Sequence, residues 1–242
     1  MRGQKLLPLE DLGAPMDVFW FAIPKEGQGH ALRGIARDGR LMAMIDRSTY
    51  WQCAFIFAKG DAAAIMARGI AAFRADVLTC APEIAGLETA LPSFDAVRLL
   101  SVSLDRLTCW HRPGLLAIGD AAHAMSPAGG VGINLAIQDA VCAANLLVAP
   151  LARGKNVDHL LRKVQAKRML PTRIIQGAQR AVQERIISPV VGGAVRRLPA
   201  TPPWQLLLLN RCRWLRGIPG RAIGLGFRRE RVQTPVGRPA QT

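Results

Sequence analysis

Apolar residues in the first half of the chain fall into short runs bounded by Gly, Pro, Asp and Ser. Four of these runs are rich in aromatic and β-branched residues, and this composition predicts β-strands. They are residues 17–23, 41–45, 50–57 and 97–104. Asp38-Gly39 lies directly before the second run, where it predicts the tight turn of a β-hairpin. The first half is therefore expected to form a mainly antiparallel sheet.

Helical spacing of apolar positions predicts helices in three other segments. The Ala-rich residues 62–77 follow Asp61, which is the expected N-cap of this helix. Residues 133–148 have the same period, as do the strongly basic residues 157–188, with Pro171 as the expected point of any interruption. Strands followed by helices indicate a mixed α/β or α+β protein.

The most informative segment is residues 119–134, whose sequence is GDAAHAMSPAGGVGIN. The apolar residues 115–118 predict a short buried strand, and Asp120 follows that strand at the position where open α/β sheets bind ligands. Pro127 stiffens the loop, and the loop glycines let a ligand approach the backbone closely. The helix that begins near Ile133 directs its free N–H groups towards the loop. These features predict a ligand-binding strand–loop–helix turn.

This segment resembles the second flavin-binding motif of the FAD-dependent aromatic hydroxylases, the single-component flavoprotein monooxygenases of the para-hydroxybenzoate hydroxylase type. The family motif is Gly-Asp followed by Ala-Ala-His, a Pro four residues after the His, and Gly-x-Gly-x-Asn. Every position is matched here in order and at the same spacing. The flanking residues 17–151 resemble the family more loosely.

The resemblance implies FAD as cofactor and NAD(P)H as electron donor. Asp120 corresponds to the carboxylate that binds the ribityl hydroxyls of the flavin, and Pro127 to the residue beside the reactive edge of the ring. The N–H groups at the start of the helix correspond to those that face the flavin N1–C2=O edge. The cofactor-binding residues implied are Gly119, Asp120, Pro127, Gly130, Gly132, Ile133 and Asn134. His123 belongs to the motif, but an orienting hydrogen bond is favoured for it over a role as a base.

The family reaction implied is the hydroxylation of a small aromatic or apolar substrate with O₂. The cofactor supplies that chemistry, and the sequence identifies no catalytic acid or base and no metal site. Related flavoproteins also catalyse halogenation, epoxidation and dehydrogenation, which the motif does not distinguish. By analogy, four aromatic residues of the sheet would line an apolar pocket, although each is more typical of a core; they are Phe19, Phe21, Trp51 and Phe55. Gln52 is a further candidate substrate contact.

The chain departs from the family pattern at its beginning. Family members open with a G-x-G-x-x-G turn between a strand and a helix, which holds the ADP half of FAD. None of the first glycines here lies in such a motif. The chain is therefore expected to be the C-terminal part of a flavoprotein and poorly stable alone. Its expected division is residues 1–110 as substrate-domain sheet, 111–150 as part of the FAD-binding domain, and 151–242 as a basic helical extension.

Charge is distributed unevenly along the 242 residues. Residues 1–150 hold 13 Lys and Arg against 14 Asp and Glu, whereas residues 151–242 hold 19 against 3. A solvated helical face or a membrane-surface patch would explain this excess, since Trp204, residues 206–209 and Trp214 alternate with arginines. Nucleic-acid binding is less favoured because no recognition motif accompanies the charge. The alternative function is thus a non-catalytic accessory module with a membrane-associated C-terminal segment.

The five cysteines are scattered, without a C-x-x-C pair or a Cys/His cluster. This spacing indicates neither a zinc site nor a redox dithiol. An odd number of cysteines without a secretory signal is typical of a reducing compartment, so a cytoplasmic location is expected.

Overall fold

The computed structural model describes residues 6–25, 32–127, 130–194 and 228–233. The chain divides into two compact units. The sheet unit contains the described residues of 14–102 and 180–194. The motif unit contains the described residues of 6–13, 103–179 and 228–233. The predicted boundaries at 110 and 150 stay predictions, and the predicted membrane-surface residues Trp204 to Trp214 lie outside the described residues.

The sheet unit is built on a five-stranded antiparallel sheet in the order β3-β4-β5-β2-β6. Its strands are β2 Met16–Pro24, β3 Leu32–Arg37, β4 Arg40–Asp46, β5 Tyr50–Ala58 and β6 Arg98–Leu100. Its helices are α1 Ala62–Ala67, α2 Ile70–Cys80, α3 Leu87–Ala90 and α6 Ser188–Val191. The predicted strands are confirmed, although the last one is shorter than the expected 97–104.

Two turns of the sheet unit show how backbone conformation sets the elements. Asp38 and Gly39 have φ values of 50° and 75°, and they join β3 to β4, as predicted for the hairpin turn. The single helix expected over residues 62–77 is wrong, because Gly69 adopts a φ of 83° and separates α1 from α2. Asp61 stands at the N-cap of α1, but its side chain makes no capping hydrogen bond.

An aromatic cluster forms the core of the sheet unit. Phe73 of α2 is fully buried, and its ring lies 5.3–5.7 Å from the rings of Phe19, Phe21, Phe55 and Phe94. The expectation that the sheet phenylalanines line a substrate pocket is therefore corrected, because these side chains pack against the helices. Trp51 is half-buried and packs against the same cluster.

The motif unit contains short strands and two long helices. β7 Asp105–Leu107 pairs with β1 Leu9–Asp11 on one side and β10 His123–Ala124 on the other. β8 His111–Arg112 and β9 Leu115–Leu116 form a hairpin, so the strand expected at residues 115–118 is shortened to two residues. The helices are α4 Gly132–Ala152 and α5 Asp158–Val182, the latter followed by a π-helical turn, Gln183–Ile187.

The two long helices differ from the prediction, since α5 is continuous at its proline and α4 is longer than expected. α5 continues through Pro171 without interruption, although proline removes one helical N–H donor. α4 is 21 residues long, and of the described helices it alone is apolar enough to cross a membrane by length and composition. One such helix is weak evidence for a membrane span, and α4 carries the buried carboxylate of Asp139. The fold as a whole is mixed helix and antiparallel sheet, as predicted.

Candidate functional site

The motif loop begins with a 3-10 turn, Gly119–Ala121, and ends at the first residue of α4. The Ala122 N–H donates to the Gly119 carbonyl at 2.8 Å, which closes the turn. Gly119 has a φ of 56°, and a Cβ atom on it would lie 3.0 Å from the Cβ of Ala136. The turn therefore packs directly against the second turn of α4, where only glycine fits without strain.

Asp120 lies within this turn, and its side chain is exposed. No hydrogen bond to its carboxylate is found among the described residues. Further along the loop, Pro127 accepts a hydrogen bond from the Gly130 N–H at 3.1 Å, and Gly130 has a φ of 61°. A Cβ atom on Gly130 would meet no described residue within 4 Å, so in the described part of the loop the backbone there is open to an approaching group.

The N-terminus of α4 carries no side-chain cap. Val131 is the N-cap, and the first turn contains no acidic residue. The Leu135 N–H is bonded to the Val131 carbonyl, whereas the N–H groups of Gly132, Ile133 and Asn134 precede the first such bond. Ile133 is 68% exposed, which leaves this end of the helix accessible. Its N–H groups and the helix dipole favour a negatively charged or carbonyl oxygen.

A buried polar network lies beneath the loop. The carboxylate of Asp139 on α4 accepts from His123 Nε2 at 2.6 Å and from Arg168 Nε at 2.8 Å. It also accepts from the Gly119 N–H at 3.1 Å. The side chains of Asp139 and His123 are fully buried, and Arg168 is almost so. As predicted, His123 makes an orienting hydrogen bond.

The Asp139 carboxylate of this network is held in its charged form. Burial by itself would raise the pKa of Asp139, but the hydrogen bonds from His123, Arg168 and Gly119 outweigh that effect and hold the pKa below its ordinary value. The carboxylate is therefore ionised at neutral pH and balances the Arg168 guanidinium. Because an ionised carboxylate only accepts hydrogen bonds, His123 Nε2 must carry the proton that it shares with Asp139.

Glutamine side chains of α5 hold the backbone on either side of the motif. Gln176 donates to the carbonyls of Asp105 and Ala124 at 2.9 and 3.1 Å. Gln179 donates to the Ser126 carbonyl at 2.9 Å and accepts from the Ser126 N–H at 3.3 Å. These bonds supply partners to buried backbone groups of β7, β10 and the start of the motif loop. The basic helix expected as an extension thus presents Gln176 and Gln179, together with the buried Arg168, to the motif segment.

Sequence reasoning missed Asp139, Arg168 and the α5 glutamines. The sequence does contain one indication that Asp139 is buried. Asp139 is the lone acidic residue in the apolar segment that forms α4, and its spacing places it on the buried face with Leu135 and Cys142. A charge at such a position needs a buried partner. Nothing in the local sequence marks Arg168 as that partner among the many basic residues of α5.

The residues of the loop fit the flavin part of FAD. Uncapped N–H donors suit the carbonyl edge of the ring, and an exposed carboxylate suits ribityl hydroxyls. The open backbone at Gly130 would admit a flat ring without a clash from a Cβ atom. All seven predicted cofactor-binding residues belong to this loop and helix start, and their roles stay predictions.

Comparison with known proteins finds a related monooxygenase and solved structures of similar fold. A curated relative, the 6-methylpretetramide 4-monooxygenase of Streptomyces rimosus, is 35% identical over 152 residues, which cover 60% of this chain and 36% of that protein. The solved p-nitrophenol 4-monooxygenase PnpA of Pseudomonas putida DLL-E4 shares the fold, with a TM-score of 0.63 at 16% identity over 95% of this chain and 58% of that one. The Diels-Alderase PyrE3 gives a TM-score of 0.66 at 18% identity, over 92% of this chain and 47% of that one.

The chain therefore spans about a third of the curated relative and about half of each solved structure. The family model described as the FAD binding domain matches residues 4–177, which include the whole motif loop and most of both units. Because that match covers well over half of the 242 residues, the chain belongs to the FAD binding domain family, in agreement with the FAD-dependent monooxygenase resemblance predicted from its motif.

Proposed function

We propose that this chain binds the flavin part of FAD in a monooxygenase that hydroxylates a small aromatic or apolar substrate with NAD(P)H and O₂. The observation that carries the proposal is the uncapped N-terminus of α4, which follows an open glycine loop and the exposed carboxylate of Asp120. The 35% identity to a monooxygenase supports hydroxylation over the other reactions of related flavoproteins. The fold alone is a weaker guide, since a Diels-Alderase shares it.

The chain's own residues bind and orient the cofactor. The N–H groups of Gly132, Ile133 and Asn134 would donate to the carbonyl edge of the ring, and the positive end of α4 would stabilise negative charge that develops there on reduction. Asp120 would accept hydrogen bonds from the ribityl hydroxyls. When bound, FAD supplies the electron transfer and oxygen chemistry, while the protein supplies orientation and electrostatics.

The face of the sheet that would contact substrate follows from the aromatic core. Adjacent residues of a strand point to opposite faces, and Phe19, Phe21 and Phe55 occupy the face covered by α2. Part of the other face is covered too, because Val18 and Ala54 pack there with Ile187. Ala22 and Gln52 are paired across β2 and β5 on the other face, where Ala22 is exposed and Gln52 half-buried. Gln52 Oε1 accepts from Arg47 Nε at 2.8 Å, which fixes the amide. We therefore propose that substrate contacts come from this second face.

Titration of the full chain with FAD, followed by quenching of flavin fluorescence, tests the proposal. We expect saturable binding by the wild-type chain and at least tenfold weaker binding by Asp120→Ala, because the ribityl hydroxyls lose their acceptor. Asp61→Ala is the matched control, since Asp61 is also exposed and makes no capping bond. Equal affinity of the Asp120→Ala variant and the wild type would refute the assigned contact, and absence of binding by the wild type would refute flavin binding by this chain.

A further inference from the structure

The carboxylate of Asp139 joins the two ends of the segment that carries Asp120. Its Oδ2 atom accepts from the Gly119 N–H at 3.1 Å and from His123 Nε2 at 2.6 Å. Gly119 and His123 stand immediately before and three residues after Asp120, so one oxygen atom holds both ends of this five-residue segment. Its other oxygen, Oδ1, accepts from Arg168 Nε at 2.8 Å. The segment is thus clamped to α4 by one side chain.

The clamp has little freedom to rearrange. Arg168 is itself fixed, because its Nη1 donates to the Arg228 carbonyl at 3.1 Å. His123 packs against Trp110, with ring centroids 5.2 Å apart, and no described residue bonds its Nδ1 atom. The ring therefore has one described polar anchor, which is Asp139. Loss of that anchor would free the ring and the segment together.

An ionic network at this position is not the simplest way to stabilise a helix contact. Well-packed apolar residues in place of a buried ion pair are often as stable or more stable, because two charges need not be desolvated. The residues that share the buried face of α4 with Asp139, Leu135 and Cys142, are apolar. A carboxylate among them is explained by what it orients, which is the turn that presents Asp120.

We propose that Asp139 is a positioning residue for flavin binding, which acts by fixing the Gly119–His123 segment and hence the direction of the Asp120 carboxylate. This inference rests on the proposed function. Asp139 touches neither cofactor nor substrate in it and acts only through Gly119 and His123. A residue that only supported the fold would affect FAD affinity whether or not Asp120 is present. The proposed role instead predicts that substitutions of Asp139 and Asp120 have coupled effects on FAD affinity, although the two side chains need not meet.

A double-mutant cycle on FAD affinity tests the coupling in the full chain. In the wild-type background we expect Asp139→Asn to weaken FAD binding at least tenfold. In the Asp120→Ala background we expect it to weaken FAD binding less than threefold, because the Asp120 carboxylate that it would misplace is then absent. Asp158→Asn is the matched control, since Asp158 Oδ1 also accepts from a glycine N–H, that of Gly114, at 2.8 Å. Independent, multiplicative effects of the two substitutions would overturn the proposal.

Removal of one partner from a buried ion pair can prevent folding, so a milder variant completes the cycle. His123→Leu keeps the Asp139–Arg168 pair and removes only one of the two loop contacts, because leucine has no hydrogen-bond donor to offer Asp139. We expect it to weaken FAD binding less than Asp139→Asn does, and again only when Asp120 is present. An unchanged FAD affinity in His123→Leu would contradict a clamp that acts at both ends.

Amide hydrogen exchange separates failure of this inference from failure of the proposed function, since it needs no flavin. In the flavin-free wild-type chain the Gly119 N–H should exchange slowly, and in His123→Leu it should stay protected, because its bond to Asp139 remains. In Asp139→Asn it should exchange at least tenfold faster, while the α4 amides beyond Cys142 keep their rates. A Gly119 amide that exchanges freely in the wild-type chain would overturn the clamp even if FAD binds.

Discussion

Replacement of Gly119 by alanine tests how closely the motif turn packs on α4. The residue has a φ of 56°, and an added Cβ would lie 3.0 Å from the Cβ of Ala136. The left-handed backbone costs an L-residue about 1–2 kcal/mol. Overpacking against a helix costs typically about 1–3 kcal/mol. We therefore expect Gly119→Ala to lower the free energy of unfolding of the motif unit by about 2–5 kcal/mol.

Gly114→Ala isolates the backbone contribution. Gly114 lies in the same unit with a φ of 71°, and an added Cβ there would meet nothing within 4 Å. Gly114→Ala should therefore lower the free energy of unfolding only by the cost of the left-handed backbone, about 1–2 kcal/mol. Urea denaturation monitored by circular dichroism gives both values from the transition midpoints, provided that the slopes agree.

The contact itself is isolated by a second substitution on α4. Ala136→Gly removes the opposing methyl group and by itself costs about 1 kcal/mol of helix propensity. In the Gly119→Ala background it should cost less than that or stabilise the chain, which gives a coupling free energy of about 1–2 kcal/mol. Equal losses for the two glycine variants, together with additive effects of Gly119→Ala and Ala136→Gly, would refute the packing argument.

Three further predictions concern other parts of the chain. Phe73→Ala should lower the free energy of unfolding of the sheet unit by about 3–5 kcal/mol in urea denaturation, against almost no loss for Leu32→Ala, whose side chain is 76% exposed; a loss below 1 kcal/mol would contradict the aromatic core. Burial alone would raise the pKa of Asp17, but hydrogen bonds from a lysine and two backbone N–H groups hold that pKa below the ordinary value of 3.8. The ionised Asp17 therefore stabilises the folded state fully above pH 3.8, and this contribution is lost as the pH falls through the lower folded pKa. The free energy of unfolding, followed from pH 6 to pH 2, should depend less on acid for Asp17→Asn than for the wild type. Burial raises the pKa of Cys53 to about 12, so iodoacetamide at pH 8 should alkylate the half-buried Cys109 before Cys53. Peptide mass spectra in which both cysteines are modified equally fast would contradict the structure.

The local sequence was sufficient where one residue type fixes a conformation. Asp38-Gly39 predicted its hairpin because both residues adopt the positive φ that such turns need. The motif at residues 119–134 predicted a loop that leads into a helix, and α4 begins at Gly132. Gly69 also adopts a positive φ and ends α1, but the helical spacing of the apolar residues on either side of it predicts one continuous helix.

The sequence was insufficient where partners are distant along the chain. Asp139 and Arg168 are 29 residues apart, and their pairing depends on how α5 packs against α4. The same limit applies to the sheet phenylalanines, because a strand pattern identifies two faces without saying which one the helices cover. The contact between the rings of Phe19 and Phe73 of α2 shows that Phe19 lies on a face that a helix covers.

Hydrogen–deuterium exchange of the full chain with and without FAD tests the central claim most directly. If the motif loop binds the flavin, FAD should slow exchange across residues 119–134, and most strongly at the first turn of α4, where the free N–H groups gain acceptors. The buried strands β2 and β5 of the sheet unit should exchange at the same rate in both samples. Protection by FAD that spares residues 119–134, or no protection at saturating FAD, would contradict the account.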